Sequence, residues 1–269
     1  CTKNSLASSR PRGKEPILKT MSTQDPHILV AGGAGYIGSH TAKLLSRSGF
    51  VPVTLDNLST GNRHALRFGP VVEGSIGDPA VVSAAVRQYN IEAVILFAGH
   101  AYVGESTADP LKYYRNNLGA SFEFLETLRR EKVSRLVFSS SCSIFGQKTH
   151  SPLVEDSPYD PLNPYAETKW FFEKALAWCD HAYGLRSVSL RYFNAAGADP
   201  DGEIGEDHEP ETHLIPLALD AASGVKPLTV FGTDYPTPDG TAIRDYIHVM
   251  DLADAHVRAL RQLLAGSRS

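Results

Sequence analysis

The sequence predicts an α/β protein: a doubly wound parallel-sheet Rossmann domain with a smaller, apparently truncated substrate domain after it. Three observations carry that expectation. From His27 onward short apolar runs alternate with helical stretches, a glycine-rich turn follows the first apolar run at once, and a carboxylate, Asp56, closes the second. Strands are expected at 27–31, 51–56, 70–73, 93–98, 135–140 and 186–191, with helices at 36–48, 79–89, 110–131 and 164–183.

The chain has 269 residues, 42% of them hydrophobic and 21% charged, which is ample for a large buried core. A net charge of -4 leaves no global basic field for nucleic acid or an anionic membrane, so neither is expected as a partner. No apolar run approaches a membrane span. Cys1, Cys142 and Cys179 are too few and too scattered for a disulfide framework or a zinc cluster, which points to a reducing, cytoplasmic setting.

Residues 1–26 hold five Lys/Arg, two acids and three Pro before any periodic pattern begins, and they are expected to be a disordered lead. With Cys1 first and Met21 just ahead of the first strand, upstream read-through is the preferred origin. A basic, Ser-rich transit peptide is the other. Residues 27–193 form the expected dinucleotide-binding domain and 194–269 the partial substrate domain. That second part opens on Asp199, Asp201, Glu203, Glu206, Asp207, Glu209 and Glu211, read as a solvated surface loop without a ligand.

The turn Gly32-Gly33-Ala34-Gly35-Tyr36-Ile37-Gly38 follows a strand and opens a helix. Glycines there permit a tight turn and close approach of backbone N–H groups to a pyrophosphate, and the helix N-terminus favours its charge. Asp56 ends the second strand, where a carboxylate accepts ribose hydroxyls and repels a 2′-phosphate, so NAD is expected over NADP. Tyr165 and Lys169, four apart at a helix start, share one face. Ammonium beside a phenol favours phenolate, the form that accepts a proton. Ser139-Ser140-Ser141 closes a strand at the carboxyl edge, where polar groups of such folds collect.

The stretches AGGAGYIGSH, LDNLSTGN, FAGHAYVGES, YYRNN, FSSSCSIFG, NPYAETK, LRYFNAAGADPDGEIGE, ETHLIPLALDAA and VFGTDYPTPDGTAIRDYIHVMDLADAH resemble, in sequence and order, the UDP-glucose 4-epimerase family of extended short-chain dehydrogenases/reductases. The resemblance covers about residues 27–260. It implies that Gly32, Gly35, Tyr36, Ile37, Gly38, Asp56, Asn57, Ser75, Ile76, Phe97, Ala98 and Gly99 hold NAD. Asn116, Tyr165, Lys169 and Phe193 would then stand at its nicotinamide half. It also implies that Ser141 bonds the reacting sugar hydroxyl, that Tyr165 exchanges its proton, and that Lys169 binds nicotinamide ribose while tuning Tyr165. Asn194, His213, Leu214, Thr229, Phe231 and Arg244 would hold a UDP-sugar. The implied reaction is transient oxidation at C4 followed by reduction on the other face, in a homodimer joined through helices 110–131 and 164–183.

Departures from the family pattern are Ser75 in place of an acid near adenine and Ala101 in place of a lysine near the pyrophosphate. Family members also continue beyond the point matching Ser269, so an incomplete sugar pocket is expected. FAGHAYVGES and GTDYPTPDG also resemble UDP-arabinose 4-epimerases, so a UDP-arabinose/UDP-xylose pair is an alternative substrate. A non-catalytic NAD-binding fragment is a further alternative. NDP-sugar dehydratases place an acid just after the strand-end hydroxyl, where this chain has Cys142 and Ser143. His208 and His213 lack a helical frame, so no metal site is expected. His248 and His256 are expected to cap or pack, and Cys142 is expected not to act as a nucleophile.

Overall fold

The computed structural model describes residues 25–146 and 152–266; most of the expected lead, residues 1–24, lies outside the described residues. Six parallel strands form the main sheet: β1 (His27–Ala31), β2 (Val51–Asp56), β3 (Val71–Glu73), β4 (Ala93–Leu96), β5 (Arg135–Ser139) and β6 (Arg186–Leu190). Their order is β3-β2-β1-β4-β5-β6, with every pair parallel. The order reverses between β1 and β4, and that switch point opens a crevice at the strands' carboxyl ends.

Both faces of the sheet are covered, which is why β1 reads as an unbroken apolar run. Leu29, Ala31, Val94, Leu96 and Leu136 face one layer, made by α2 (Pro79–Tyr89), α5 (Ser121–Arg130) and α6 (Pro164–Tyr183). Ile28, Val30, Ile95 and Val137 face the other, made by α1 (Tyr36–Arg47) and α8 (Val249–Leu264). Asp78 caps α2 by accepting from Ala80 N and Val81 N, and Asn163 caps α6 by accepting from Ala166 N, each with Pro as the first helical residue.

Three expectations are corrected. The helix expected over 110–131 is not uniform: α3 (Val103–Ala108) precedes it, and a π-helical stretch, Tyr114–Ala120, separates α4 (Pro110–Tyr113) from α5. The division at Asn194 also fails as a packing boundary. α8 follows β8 (Tyr246–His248), which pairs in parallel with β7 (Asn194–Ala196), and then returns to the main sheet, burying Val257, Leu260 and Leu263 there. α7 (Leu214–Ala222), by contrast, has no buried residue.

The third correction concerns the acidic run. Asp199 is buried, because the equally buried Lys43 of α1 needs it. Lys43 Nζ lies 2.5 Å from Asp199 Oδ2, 2.9 Å from Asp201 Oδ2 and 2.6 Å from Glu203 Oε2. Burial pulls the Lys43 pKa down, but the hydrogen bonds to the three carboxylates outweigh it and leave the pKa above its usual range. Tyr36 adds a second tie, its hydroxyl donating to Gly197 O at 2.5 Å. The segment after β7 is thereby fastened to the first helix.

Lys43→Met strands the Asp199 carboxylate in the interior. Breaking a buried pair by removing one partner costs about 3–5 kcal/mol. Urea unfolding should therefore show a lower midpoint at unchanged slope, and replacing Asp199 as well should recover part of the loss.

Candidate functional site

The carboxyl ends of the strands open into a cleft of about 1230 Å³. Small-molecule pockets usually span about 300–1,000 Å³, so this one has room for a dinucleotide and a second ligand together. At one end lies the turn from Gly32 to Gly38. Gly32 has φ +86°, and a Cβ there would stand 2.5 Å from Ala98 N; a Cβ on Gly38 would stand 2.2 Å from Gly32 O. Only glycine fits either position, which lets the turn press against Phe97 and Ala98 just past β4 and the first turn of α1 press against the turn itself. Asp56 does more than the sequence reveals. Its Oδ2 accepts from Ala34 N and its Oδ1 from Leu58 N, each at 2.9 Å, so it shapes the turn while lining the cleft. A carboxylate has lone pairs left for ribose hydroxyls after two such bonds.

Along the same wall stand Asn57, Ser75, Ile76, Phe97, Ala98 and Gly99, with Asn116 and Phe193 farther toward the reactive end. Asn116 is carried there by the π-helical stretch, a form that recurs at functional sites. Its neighbour Asn117 locks the loop after β4, its Oδ1 accepting from His100 N at 2.8 Å and its Nδ2 donating to His100 O at 2.9 Å. The residues present therefore fit a dinucleotide: a cradle that a Cβ would fill, a helix N-terminus, and a carboxylate at the end of β2.

Ser141, Tyr165 and Lys169 all line the cleft. The three serines that close β5 divide their work. Ser139 shares a hydrogen bond with the Tyr192 hydroxyl, Ser140 Oγ donates to Glu173, and Ser141 caps a short 3-10 helix, Cys142–Phe145, by accepting from Ser143 N. Lys169 is buried, its Nζ donating to Ser139 O at 2.8 Å and lying 4.9 Å from the Phe138 ring centroid and 5.7 Å from that of Tyr165. Burial pushes Lys169 down to about 8, with the Glu173 carboxylate pulling the other way. Burial also pushes Tyr165 up, against the hydrogen bond from Ser141 that pulls it down. The expected effect of the Lys169 ammonium on the phenol is not what dominates here, since burial is the larger influence on both groups.

Glu173, unremarked in the sequence, is central to this region. It follows Lys169 by one helical turn, accepts from Ser140, and is held by Arg191, whose Nη2 lies 2.6 Å from its Oε2. Spacing of i and i+4 was the available signal. Tyr192, Glu206 and His208 are further cleft-lining residues that the sequence did not single out for a ligand. Burial pushes the Cys142 thiol up to about 11, away from the thiolate form. His248 caps α8 by accepting from Met250 N, and His256 packs against Phe97 at 4.7 Å, burial taking it down to about 4 and so keeping it neutral.

At the other end of the cleft stand Asn194, His213 and Arg244. β7–β8 pairing brings the first and last together, Asn194 donating from both N and Nδ2 to Asp245 O at 3.2 and 2.9 Å. Leu214, Thr229 and Phe231 do not line the cleft. Leu214 is exposed on α7, and Phe231, 97% exposed, lies in an irregular stretch. His208 and His213 lie outside any helix, as expected, but the loop brings their rings to 4.9 Å from each other, beside Glu206 and Glu211.

Residues 28–268 match the NAD dependent epimerase/dehydratase family. A UDP-glucose 4-epimerase from Lacticaseibacillus casei is 49% identical over 247 residues, covering 90% of this chain and 74% of that protein. The crystal structure of UDP-glucose 4-epimerase from Brucella ovis in complex with NAD is 53% identical with a TM-score of 0.88, over 90% of this chain and 75% of that one. The Bifidobacterium longum UDP-glucose 4-epimerase, solved with NAD+ and UDP, is 35% identical with a TM-score of 0.84, over 88% of this chain and 74% of that one.

Gly38→Ala drives a methyl group against the Gly32 carbonyl. The turn must open, and dinucleotide affinity measured by calorimetry should fall at least about tenfold, roughly 1.4 kcal/mol, while the far-ultraviolet spectrum stays that of the unmodified chain.

Proposed function

Since this chain belongs to the NAD dependent epimerase/dehydratase family, we infer from its site that it interconverts the C4 epimers of a UDP-hexose, UDP-glucose and UDP-galactose, through a transient 4-keto sugar. The observation that carries the reading is one cleft holding Tyr165, Lys169 and Ser141 between a dinucleotide cradle and the group Asn194, His213 and Arg244. Its relatives are named for the same reaction.

When bound, NAD supplies the hydride acceptor and then the hydride donor. Gly32, Gly35, Tyr36, Ile37 and Gly38 hold its diphosphate, and Asp56 and Asn57 its adenosine ribose. Ser75, Ile76, Phe97, Ala98 and Gly99 line the passage between, and Asn116 and Phe193 stand at the nicotinamide half. Ser141 orients the sugar's C4 hydroxyl, and Tyr165 takes its proton as the hydride leaves carbon. Tyr165 keeps that proton while the keto sugar turns, then returns it to the C4 oxygen as the hydride comes back to the opposite face of the carbon, so atoms and charge balance over the cycle. Lys169 holds the nicotinamide ribose and biases Tyr165 toward phenolate, while Asn194, His213 and Arg244 grip the uridine diphosphate. A phenol raised by burial ionises reluctantly at neutral pH, and the Ser141 hydrogen bond pulls it back toward phenolate.

The same reading includes a homodimer and a cytoplasmic place in galactose metabolism. Support for the dimer lies in exposed apolar side chains along the helices expected to pair: Leu111, Phe122, Phe171 and Trp178. Support for the compartment is that Cys142 and Cys179 are both free thiols.

Incubating the purified chain with UDP-galactose without added NAD and analysing the product tests the reaction directly. Tyr165→Phe should lower turnover by about 10²- to 10⁴-fold, roughly 3–5 kcal/mol of barrier, with NAD still bound; near-normal activity would overturn the assignment. In Lys169→Met the defect should ease as pH rises, because a phenol without its neighbouring ammonium ionises later.

Glu173→Gln tests Lys169 from the other side. Glu173 raises the Lys169 pKa, so its loss should lower that pKa further and move the alkaline limb of the turnover profile to lower pH. An unmoved limb would separate Glu173 from the reaction.

A further inference from the structure

Of the loop between Asp199 and α7 the proposed epimerisation uses His213 alone. Glu206, His208, Glu211 and His213 each present one donor atom there, all within 4.8 Å of one another. His213 Nδ1 lies 3.0 Å from Glu206 Oε1 and 2.9 Å from Glu211 Oε1, and His208 Nδ1 lies 3.5 Å from Glu206 Oε1 and from Glu211 Oε2. We propose that these four side chains bind one divalent transition-metal ion of the zinc class at the wall of the cleft.

Geometry, charge and an unmet nitrogen each support the site. A tetrahedral ion with arms of about 2.0–2.2 Å has ligand-to-ligand edges of about 3.3–3.6 Å, close to the spacings already present. Two carboxylates and two neutral imidazoles sum to a double negative charge, which a divalent ion cancels. Ion pairing alone accounts for His213, which sits between both acids. It leaves His208 Nδ1 buried and without a hydrogen-bond partner, although aimed between the same two carboxylates. Mixed imidazole and carboxylate donors select zinc-like ions over calcium or magnesium, which take oxygen.

The other close group of acids, Asp199, Asp201 and Glu203, differs in kind. Its cation is already present as the Lys43 ammonium.

The loop is held from the dinucleotide-binding side, as a metal site's outer shell must be. Tyr36 meets the His208 ring edge-on at 6.2 Å, and Tyr102 lies 6.5 Å from the His213 ring. Asn62 Nδ2 donates to Asp207 O at 2.8 Å. Glu206, His208 and His213 also line the cleft, so an ion among them pins the loop and removes the negative charge of the wall facing anionic ligands. The ion takes no part in hydride transfer, and the proposal stands whether or not the epimerase reading does.

The test uses the full chain without a histidine tag, stripped with a chelator and titrated with Zn2+ by calorimetry and with Co2+ by visible absorption. Expected are one ion per chain and the intense d–d bands of a four-coordinate cobalt site. Loss of a direct ligand in His208→Ala, or in the shape-conserving Glu211→Gln, should weaken binding by more than the roughly 10- to 100-fold typical of outer-shell partners. Asp201→Asn, in the Lys43 group, should leave it unchanged. Affinity should also fall as pH drops, since protons compete for the imidazoles. Binding below one ion per chain in the unmodified protein, or equal affinity in His208→Ala and Glu211→Gln, overturns the proposal.

Discussion

One buried ammonium decides how the two ends of the cleft face each other. Lys43 sits on α1, whose first turn is the dinucleotide cradle, and the acids that neutralise it come from the segment just after β7. A charge in the interior tolerates little displacement, because any gap exposes it to a medium that solvates it poorly. The distance between the cradle and the wall carrying Glu206, His208 and His213 is therefore fixed by an electrostatic requirement. The Tyr36 hydroxyl, bonded to Gly197 O, reinforces it from the cradle itself.

A second constraint acts on the reactive pair. Lys169 and Tyr165 are buried together, and burial moves their pKa values apart, the amine down to about 8 and the phenol up, favouring the neutral form of each. Both groups therefore resist ionisation. On Lys169 the surrounding charge works against that. Glu173 favours the Lys169 ammonium, and Arg191 keeps Glu173 in position through a charge-assisted pair. The network of charges around the proposed catalytic residues thus extends along α6 and past the end of β6.

The parts legible in the sequence are those whose cause is local. Strands buried on both faces read as apolar runs, and β1 and β2 fall where expected to the residue. Helices with Asp78 or Asn163 before a proline announce their own starts. The glycine turn and Tyr165–Lys169 carry their spacing openly. What could not be read depends on partners far along the chain. Nothing near Asp199 says that Lys43, 156 residues earlier, will bury it, and the three-residue β7 and β8 are too short to show any period. α8 is a different case. Leu252, His256, Val257, Leu260 and Leu263 recur at helical spacing, but the irregular residues before them drew the whole region into a supposed second domain. The Leu214 and Phe231 positions came from resemblance alone, and nothing local fixed their place.

The π-helical stretch between α4 and α5 has a consequence for how this protein can vary. Each such turn accommodates one residue more than an α-helix would, and an added residue rotates all that follows by about 100° around the axis. Before it, Tyr113 is buried, its hydroxyl donating to Glu105 Oε2 at 2.8 Å; after it, Phe124, Leu125 and Leu128 face the sheet. Between them Asn116 and Asn117 turn to the cleft and its loop. The stretch works as a phase shift in the helix, letting one rod meet two partners whose preferred registers disagree. Deleting any one residue from 114–120 would put it back in phase, and a chain so shortened could keep its core contacts or its asparagines, not both.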